Sequence, residues 1–478
     1  MTTALWTAYE AAAATGGALC ARGGDPDRWI AEEWTAKGVS IDTRTLKPGE
    51  IFVALKDARD GHEFVPTAFE RGAAAALVAR APSSAPDGAP LLIVDDTLDG
   101  LRRLAAAARL RNFGKRIAVT GSAGKTSVKE MLRTALGAVG QVHAADKSFN
   151  NHWGVPLTLA ALPMHAEFGV FEIGMNHAGE ITPLTRLVAP HVAVVTTVAA
   201  AHLEFFNSVE EIAEAKAEIF LGLAPGGVAV LPQDNAYFQL LRERAEAAGA
   251  GTFRTFGEAA DADYRLLDYA SDGDRGAQIV VATPTQELSL SLGAPGKHQA
   301  INALAVIAAA EAVGVDPATA GRALAGHGAP SGRGERRRLR VAGREILVID
   351  ESYNANPASV AAALALLGEA TPTGDGRRIA VLGDMLELGP EGEALHADLA
   401  QNVTAAGVNR LYAAGPLMRR LWDAAPETIR AAAGASASEI AAKLLDDLRD
   451  GDIILVKGSN ASKVSDLISF LENRRETG

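Results

Sequence analysis

The stretch AVTGSAGKTSVKEML, residues 118–132, decides the fold of this chain. An apolar run leads into a turn that contains Gly121 and Gly124, and Lys125 and Thr126 then open a helical pattern. A loop between a strand and a helix N-terminus presents backbone N–H groups and the positive end of the helix dipole, so it binds anions. We therefore predict a phosphate-binding loop, called the P-loop below. Its predicted nucleotide-binding residues are Gly121, Ser122, Ala123, Gly124, Lys125, Thr126 and Ser127.

The P-loop departs from the common spacing G-x-x-x-x-G-K-[ST]. The first glycine of that pattern would fall at position 119, where this chain has Val119, and a glycine occurs at 121 instead. A strand before, a helix after and Gly-Lys-Thr in register favour phosphate binding over a chance glycine turn. We interpret the shifted glycine as a shortened loop, in which Lys125 supplies positive charge and Thr126 a hydroxyl for Mg²⁺.

Length and composition bound the rest of the chain. Its 478 residues exceed one ordinary core, and about three domains of ~150 residues are expected. A formal charge of −12 argues against broad nucleic-acid binding, because that mode needs a basic surface. The single cysteine, Cys20, excludes an intramolecular disulfide and a cysteine-clustered zinc site. With no basic leader and no apolar run of about 18 residues, we expect a cytoplasmic protein.

The order of apolar segments predicts an α/β protein of three domains. Short β-rich runs alternate with helical stretches, which is typical of largely parallel sheets. We place the domains at residues 1–112, 113–330 and 331–478. In the third, each strand pattern ends in polar or glycine-rich residues, where open α/β sheets gather ligands. The basic stretch at residues 333–344 is interpreted as a solvated hinge, with a phosphate-facing role as the alternative.

Glu172 is the first candidate metal ligand. It lies in the apolar strand pattern FGVFEIG and is followed by polar residues. A buried carboxylate is costly unless it is paired or bound to a cation. An ordinary ion pair is the alternative, but beside a nucleotide loop Mg²⁺ is favoured, because it prefers one or two carboxylates plus phosphate oxygens.

Lys216 lies on the apolar face of a predicted helix. Ser208 and Glu211 form a capping box that starts this helix at about Val209. Its apolar stripe is Val209, Ile212, Ala213, Ile219 and Phe220. Periodicity alone favours a lysine that snorkels to the edge. The alternative is a desolvated, neutral amine that reacts with carbon dioxide to give a carbamate, a negative metal ligand. His202, after the strand pattern HVAVVTTV, could join it at a metal.

Motifs along essentially the whole chain resemble those of the Mur ligase family. SIDTRTLKPGEIFVAL and DGHEFVPTAFERGA are similar to the family's N-terminal domain, TGSAGKTS to its short P-loop and FEIGMN to its metal glutamate. AHLEFF and AKAEIF match its histidine and carbamylated lysine, and GKHQAINALAV its adenine-contact segment. In the third block, IDESYNANPAS, AVLGDMLELG and ILVKGSNASK are most similar to the branch that adds D-alanyl-D-alanine. The Asp-Asn-Pro-Arg signature of many diamino-acid-adding ligases is absent from the sequence.

The resemblance implies a fold and a reaction. A central P-loop ATPase domain with a parallel sheet would be flanked by an N-terminal α/β domain that binds UDP-sugar and a C-terminal Rossmann-like domain that binds D-Ala-D-Ala and closes on ATP. ATP would phosphorylate the terminal carboxylate of a UDP-N-acetylmuramoyl-tripeptide, and the amine of D-Ala-D-Ala would attack the acyl phosphate. The implied partners are these small molecules. We expect a monomer that binds no nucleic acid and spans no membrane.

The resemblance also assigns roles to residues. Thr126 and Glu172 would hold one Mg²⁺ ion, and His202 with carbamylated Lys216 a second. Lys125 would stabilise the transferring phosphoryl group. Further nucleotide contacts would come from Asn302 at adenine, Asp350 or Glu351 at ribose, and Arg333 at the γ-phosphate. In this motif Glu351 stands where an Asp is expected, so the ribose assignment stays open between the two.

Substrate contacts are implied at both ends of the chain. Thr43 and Arg44 are candidates for the UDP diphosphate, because the planar guanidinium suits it; a simple turn leading into the strand EIFVAL is the alternative. Other candidates lie in SFNNHWGVPLTLA and in the third domain: Asn150, Asn151, Thr158, Asn354, Asn356, Lys457 and Ser459. Two other functions are possible: another amide ligase of the same architecture, such as a diamino-acid-adding ligase or a folylpolyglutamate synthase, and a P-loop NTPase that switches conformation without joining substrates.

Overall fold

The structure, a computed structural model, describes residues 4–21 and 34–475. The first part contains a two-stranded and a five-stranded sheet, the latter in the order β2-β7-β6-β5-β4. Strands β4 to β7 are parallel, and β2 pairs with β7 in antiparallel fashion at the edge. The strands are Trp6–Thr7 (β1), Ala18–Ala21 (β2), Thr35–Ala36 (β3), Gly38–Ser40 (β4), Glu50–Val53 (β5), Ala75–Val78 (β6) and Pro90–Ile93 (β7). The helices are Ala8–Thr15 (α1), Val65–Glu70 (α2) and Thr97–Arg111 (α3).

The middle part is built on a nine-stranded sheet in the order β16-β15-β14-β13-β12-β11-β8-β10-β9. Its strands are Lys115–Thr120 (β8), Val142–Ala144 (β9), Phe168–Glu172 (β10), Val192–Val195 (β11), Val228–Pro232 (β12), Thr252–Gly257 (β13), Tyr264–Ser271 (β14), Ala277–Ala282 (β15) and Glu287–Leu292 (β16). Strands β8 to β14 are parallel, and β15 and β16 extend the sheet in antiparallel fashion. Its helices are Lys125–Gly137 (α4), Gly154–Ala160 (α5), Ile181–Val188 (α6), Val209–Ala217 (α7), Phe238–Ala247 (α8), Lys297–Ala312 (α9) and Pro317–Ala323 (α10).

The last part contains a six-stranded sheet in the order β17-β18-β22-β19-β20-β21. All neighbours are parallel except β17 and β18. The strands are Glu335–Val341 (β17), Arg344–Glu351 (β18), Arg378–Gly383 (β19), Arg410–Ala414 (β20), Arg430–Gly434 (β21) and Ile453–Lys457 (β22). The helices are Pro357–Glu369 (α11), Gly392–Ala405 (α12), Met418–Ala424 (α13), Ala437–Asp447 (α14) and Asp466–Glu472 (α15). The predicted α/β class with largely parallel sheets is therefore confirmed.

The first and middle parts share a hydrophobic cluster. Helix α3 packs against α5, and the Trp6 Nε1–H donates to the Ala160 carbonyl at 2.9 Å. Leu101 of α3 and Phe171 of β10 belong to the same buried cluster. The five-stranded sheet is therefore fixed to the nine-stranded sheet by a continuous core. Within the described ranges, no helix combines the length and apolar composition that a membrane span requires.

Two local predictions need correction. Helix α7 begins at Val209 as expected, and the Glu211 N–H donates to Ser208 Oγ at 3.2 Å. The Glu211 carboxylate, however, accepts from Asn207 N at 2.9 Å, one residue earlier than a capping box requires. The helix also ends at Ala217, and a 3₁₀ turn, Glu218–Gly222, carries the remaining apolar residues. Residues 335–341 of the basic stretch form the edge strand β17 and not an open hinge.

Candidate active site

A cavity of about 530 Å³, called the central cavity below, lies between the middle and last parts of the chain. On one side it is lined by the P-loop and by residues that follow β10 and β11. On the other side it is lined by residues that follow β18 and by Lys457 at the end of β22. Two parallel sheets therefore point their carboxyl ends at one space, which is where open α/β sheets place ligands.

The P-loop connects β8 to α4 and takes a shape that two glycines permit. Gly121 has φ +150° and Gly124 has φ +82°. A Cβ on Gly121 would lie 1.9 Å from Thr196 Oγ1, and one on Gly124 would lie 2.8 Å from Asn302 Oδ1. The loop is thus pressed against its neighbours at both positions, which explains glycine there. The Lys125 Nζ folds back and donates to the Gly121 carbonyl at 2.6 Å.

Strand register brings Glu172 to the P-loop. Glu172 is the last residue of β10 and pairs with Val119 of β8, so its side chain lies beside the start of α4. It is 4% exposed. Its Oε2 accepts from Thr126 Oγ1 at 2.8 Å, and its Oε1 accepts from Ser148 Oγ at 2.6 Å and from Asn150 Nδ2 at 2.8 Å. Three neutral donors therefore hold one buried carboxylate in a fixed orientation.

The charges around Glu172 keep it ionised. Burial by itself would raise the pKa of the Glu172 carboxyl, but the nearby Lys125 ammonium, the hydrogen bonds and Arg333 outweigh it, so the pKa lies below its usual range. Burial lowers the pKa of Lys125, and Glu172 partly offsets that effect. Arg333 stacks over the Tyr353 ring at 4.0 Å. Arg333, at the start of the basic stretch, therefore lines the same cavity as the P-loop, and its phosphate-facing role stays a prediction.

Lys216 does not snorkel. It is 2% exposed, and no hydrogen bond or ion pair to its Nζ occurs within residues 4–21 and 34–475. Burial, followed by repulsion from Lys125, places the pKa of Lys216 well below its ordinary value. The position therefore favours a neutral amine, which is the form that can react as a nucleophile.

His202 joins the middle part to the last part. It has φ +61°, and its Nδ1 lies 2.6 Å from Glu387 Oε2. His202 also lines the central cavity. Burial and the positive Lys125 lower the pKa of His202, whereas the Glu387 carboxylate opposes the shift. Lys216 also contributes to lowering it, so these side chains lie within electrostatic reach of one another.

Most of the predicted site residues line the central cavity. They are Ser122, Ala123, Gly124, Lys125, Ser127, Asn150, Glu172, His202, Asn302, Arg333, Glu351, Asn354, Asn356 and Lys457. Thr126 contacts this set through Glu172. Of the two ribose candidates, Glu351 lines the cavity. The Asp350 carboxylate is turned away and accepts from Ser352 Oγ at 2.6 Å and Gly332 N at 3.2 Å.

Other predicted residues are used locally. Asn151 Oδ1 accepts from the Gly154 N–H at 2.9 Å, and Thr158 Oγ1 donates to the Gly154 carbonyl at 2.8 Å within α5. Ser459 Oγ accepts from the Leu386 N–H at 2.9 Å. None of these three side chains lines the cavity. Each of these three side chains therefore already has a hydrogen-bond partner within the protein.

The candidates for the UDP diphosphate lie apart from the central cavity. Thr43 and Arg44 lie on the turn between β4 and β5. The Arg44 guanidinium is largely exposed and binds the Asp42 carboxylate, with Nη2 2.7 Å from Oδ2. The structure therefore brings them to no other predicted site residue, and their role stays a prediction.

Asn356 has two tasks that the sequence reasoning did not foresee. It caps α11 in a capping box with Ser359, and its Nδ2 donates to the P-loop carbonyl of Ser122 at 3.1 Å. It thus ties the last part of the chain to the P-loop. Lys457, 2% exposed, donates to the Asn354 carbonyl at 3.0 Å and lies 3.4 Å from Glu351 Oε2.

Several polar lining residues were not predicted as site residues, among them Ser148, Thr196, His298 and Tyr353. Ser148 and His298 belong to motifs that the sequence analysis quoted, so closer attention to their polar side chains would have found them. Thr196 directly follows β11, which neighbours β8 in the sheet, and its Oγ1 donates to the P-loop carbonyl of Ala123. Only the strand order reveals that contact.

A Gly121→Ala variant is expected to bind ATP at least about 10-fold more weakly, because the added methyl group meets Thr196 and the backbone is strained. The KM for ATP and the melting temperature are the measurements. Gly137→Ala is the matched control, since Gly137 ends α4 and a Cβ there meets nothing within 4 Å. Equal KM values in the two variants would contradict the proposed tight fit of the loop.

The fold and the cavity define a P-loop α/β protein whose nucleotide site is completed by a second parallel-sheet domain. Residues 119–310 match the Mur ligase middle domain, and residues 332–460 match the Mur ligase glutamate ligase domain. The chain belongs to the Mur ligase family.

Similar proteins agree with that assignment. The chain is 35% identical to the UDP-N-acetylmuramoyl-tripeptide--D-alanyl-D-alanine ligase of Bacillus subtilis over 92% of its own length and 94% of the relative's. The crystal structure of MurF from Acinetobacter baumannii superposes with a TM-score of 0.83 at 29% identity, covering 98% of this chain and 99% of the other. MurF of Thermotoga maritima in complex with ADP gives a TM-score of 0.75 at 25% identity, covering 91% and 97%.

Proposed function

We propose that this chain is an ATP-dependent ligase that joins D-alanyl-D-alanine to a UDP-N-acetylmuramoyl-tripeptide, making the pentapeptide precursor of peptidoglycan. The relative from B. subtilis carries that activity in its name. The observation that supports the reaction most strongly is the central cavity, where Lys125 and Glu172 of the P-loop side face Arg333 and Lys457 of the opposite side. Because the middle and last parts of the chain both line this cavity, a substrate bound by one part can meet a substrate bound by the other.

The residues present fit ATP. The P-loop presents the N-terminus of the 13-residue helix α4 to the cavity, and such a terminus attracts phosphate. Asn302, on α9, reaches the backbone of Gly124 and lines the same cavity, so it can contact the base. Arg333 supplies a second cation opposite Lys125. We assign Glu351 to the ribose in preference to Asp350, whose carboxylate is already satisfied.

The residues also fit Mg²⁺, although no group of three or more His, Cys, Asp or Glu side chains clusters in the described part of the chain. Mg²⁺ needs few protein ligands because phosphate oxygens and water complete its shell. Thr126 and Glu172, already in contact at 2.8 Å, would hold one ion, and His202 with Lys216 a second. When bound, the ions neutralise charge that develops on the phosphoryl oxygens.

We propose that Lys216 is carbamylated. Its buried amine, with the pKa depressed by burial, would attack carbon dioxide, forming an N–C bond and releasing one proton. The product carries a negative charge where the unmodified ammonium would be repelled by Lys125. Carbamylation therefore turns an electrostatically unfavourable cation into a favourable anion.

The chain's own residues then divide the work. In the first half-reaction, a tripeptide carboxylate oxygen attacks the γ-phosphorus of ATP and ADP leaves. Lys125, released from the Gly121 carbonyl, would follow the transferring phosphoryl group, and the P-loop amides would stabilise its oxygens. In the second, the D-Ala-D-Ala amine attacks the acyl carbon and phosphate leaves. Residues of the last part, Asn354 and Lys457, would orient the dipeptide; Ser459, Asn151 and Thr158 would act only by supporting the loops nearby.

The three predicted domains would each bind one substrate. We assign residues 1–112 to the UDP-sugar, with Thr43 and Arg44 at the diphosphate, residues 113–330 to ATP, and residues 331–478 to the dipeptide. For Arg44 this requires that its ion pair with Asp42 open when the diphosphate binds. A cytoplasmic, monomeric enzyme is consistent with this assignment.

The proposed function is tested by measuring phosphate release and product mass with ATP, UDP-N-acetylmuramoyl-tripeptide and D-Ala-D-Ala. We expect release only when all three are present, with a product heavier by one dipeptide less one water. Phosphate release that does not require D-Ala-D-Ala would indicate an NTPase that switches conformation. Turnover with diaminopimelate in place of D-Ala-D-Ala, and with a UDP-N-acetylmuramoyl-dipeptide in place of the tripeptide, would indicate the diamino-acid-adding ligase.

A further inference from the structure

One contact between the middle and last parts of the chain reaches a predicted catalytic side chain. Glu387 follows β19 and has φ +62°, and its carboxylate lies 2.6 Å from Nδ1 of His202. Its carbonyl also accepts from the Glu204 N–H at 3.1 Å. Two loop residues with positive φ, one in the middle part of the chain and one in the last part, are therefore in direct contact. Such conformations persist in non-glycine residues only where surrounding contacts hold them.

The contact determines which nitrogen of His202 carries the proton. A carboxylate only accepts hydrogen bonds, so Nδ1 must donate. In the neutral imidazole Nε2 is then the nitrogen with the free lone pair. Within the described ranges Nε2 has no hydrogen-bond partner, and His202 lines the central cavity. Glu387 therefore leaves the basic nitrogen available to groups that enter the cavity.

The same contact depends on the arrangement of the domains. Glu387 and His202 are 185 residues apart and lie in loops that follow strands of different sheets. Other side-chain hydrogen bonds cross the same boundary, among them Asn356 Nδ2 to the Ser122 carbonyl, Tyr269 OH to Glu369 Oε2 at 2.6 Å and Arg336 Nη1 to the Gly273 carbonyl at 3.0 Å. Among these contacts, the one from Glu387 orients His202, a side chain for which a catalytic role is proposed.

From this geometry, and resting on the function proposed above, we infer that Glu387 is a positioning residue: it fixes the Nδ1–H tautomer of His202 only when the last domain has closed on the P-loop. In many proteins a carboxylate accepts a hydrogen bond from the second ring nitrogen of a functional histidine and so orients the ring. Removal of that carboxylate lowers activity or ligand affinity by about 10–100-fold. Here the orienting carboxylate comes from another domain. The His202 imidazole therefore has the tautomer needed for catalysis only after the last domain has closed on the P-loop.

The test uses the full-length protein with Glu387→Ala, Glu387→Gln and Glu391→Ala. Glu391 is the matched control, because it is an exposed carboxylate in the 3₁₀ turn that follows Glu387. Nitrogen-15 spectra of the imidazoles report the tautomer, with the His202 signals assigned by their absence in His202→Asn. Steady-state kinetics report kcat and KM, and small-angle scattering reports domain closure.

We expect Glu387→Ala to lose the Nδ1–H tautomer of His202, to lower kcat about 10–100-fold, and to leave the KM for ATP within about threefold, because the P-loop is untouched. Glu387→Gln keeps an acceptor and should keep the tautomer. Glu391→Ala should match the wild type. An unchanged tautomer in Glu387→Ala, or a kcat within about twofold of the wild type, would overturn the inference, as would a Glu391→Ala variant that loses as much. Because the spectra and the scattering need no turnover, an inactive wild type would refute the proposed function without deciding the role of Glu387.

Discussion

Lys216→Ala is expected to lower kcat by about 10²–10³-fold, the loss typical for removing one preorganised electrostatic group from an active site. The side chain is 2% exposed and unpartnered within the described ranges, and its pKa is far below that of a free lysine because it is buried beside Lys125. A carbamate would place a carboxylate at the end of this side chain. A small carboxylic acid such as acetate should therefore occupy the space that the lysine side chain leaves in the alanine variant and restore part of the activity.

Lys216→Arg provides the control for charge. Arginine keeps the positive charge but cannot form a stable carbamate, so this variant should be as inactive as alanine and should not respond to acetate. Kinetics at several acetate concentrations, with chloride at matched ionic strength, measure the rescue. Full activity of either variant, or equal stimulation of the wild type, would contradict the carbamate.

Lys125→Met is expected to lower kcat by about 10³-fold or more, with a smaller change in the KM for ATP. Its Nζ donates a hydrogen bond to the Gly121 carbonyl at 2.6 Å. Its positive charge lowers the pKa of Glu172 more than that of Arg333 does. Methionine keeps the length and the apolar stem of the side chain but removes the charge. The loss should therefore fall on the step in which charge develops, while the backbone amides of the loop still bind ATP.

Lys115→Met is the matched control for that experiment. Lys115 begins β8, is exposed and lies outside the central cavity, so its loss should change kcat by no more than about twofold. Single-turnover measurements with both variants separate phosphoryl transfer from product release. If Lys125→Met changed KM alone, Lys125 would be a binding residue and not a catalytic one.

The fold and the position of the candidate phosphate site could be predicted from the sequence because they depend on local patterns. The strand before Gly121, the helix after Gly124 and the buried carboxylate in β10 each express a local preference that the packed structure retains. Lys216 illustrates the limit: periodicity placed it on the apolar face, but only the packing around α7 decides whether its amine reaches solvent.

Contacts between elements far apart in sequence could not be predicted in the same way. Thr196 touches the P-loop because β11 neighbours β8, and Asn356 reaches Ser122 because two domains face each other. Internal hydrogen bonds are equally hidden from the sequence. Asp350 was predicted at the ribose and Thr158 and Ser459 at the substrates, and in the structure their polar groups already have partners within the protein. Their predicted roles stay predictions.

The most direct test of the central claim, that the cavity activates a carboxylate by phosphorylation, is to follow the carboxylate oxygens. The tripeptide carboxylate is labelled with ¹⁸O at both oxygens, and the inorganic phosphate released during turnover with D-Ala-D-Ala is analysed by mass spectrometry. Attack on the γ-phosphorus followed by amide formation transfers one labelled oxygen to each phosphate and leaves the other in the new amide. Phosphate that carries no label while the amide product accumulates would contradict the mechanism.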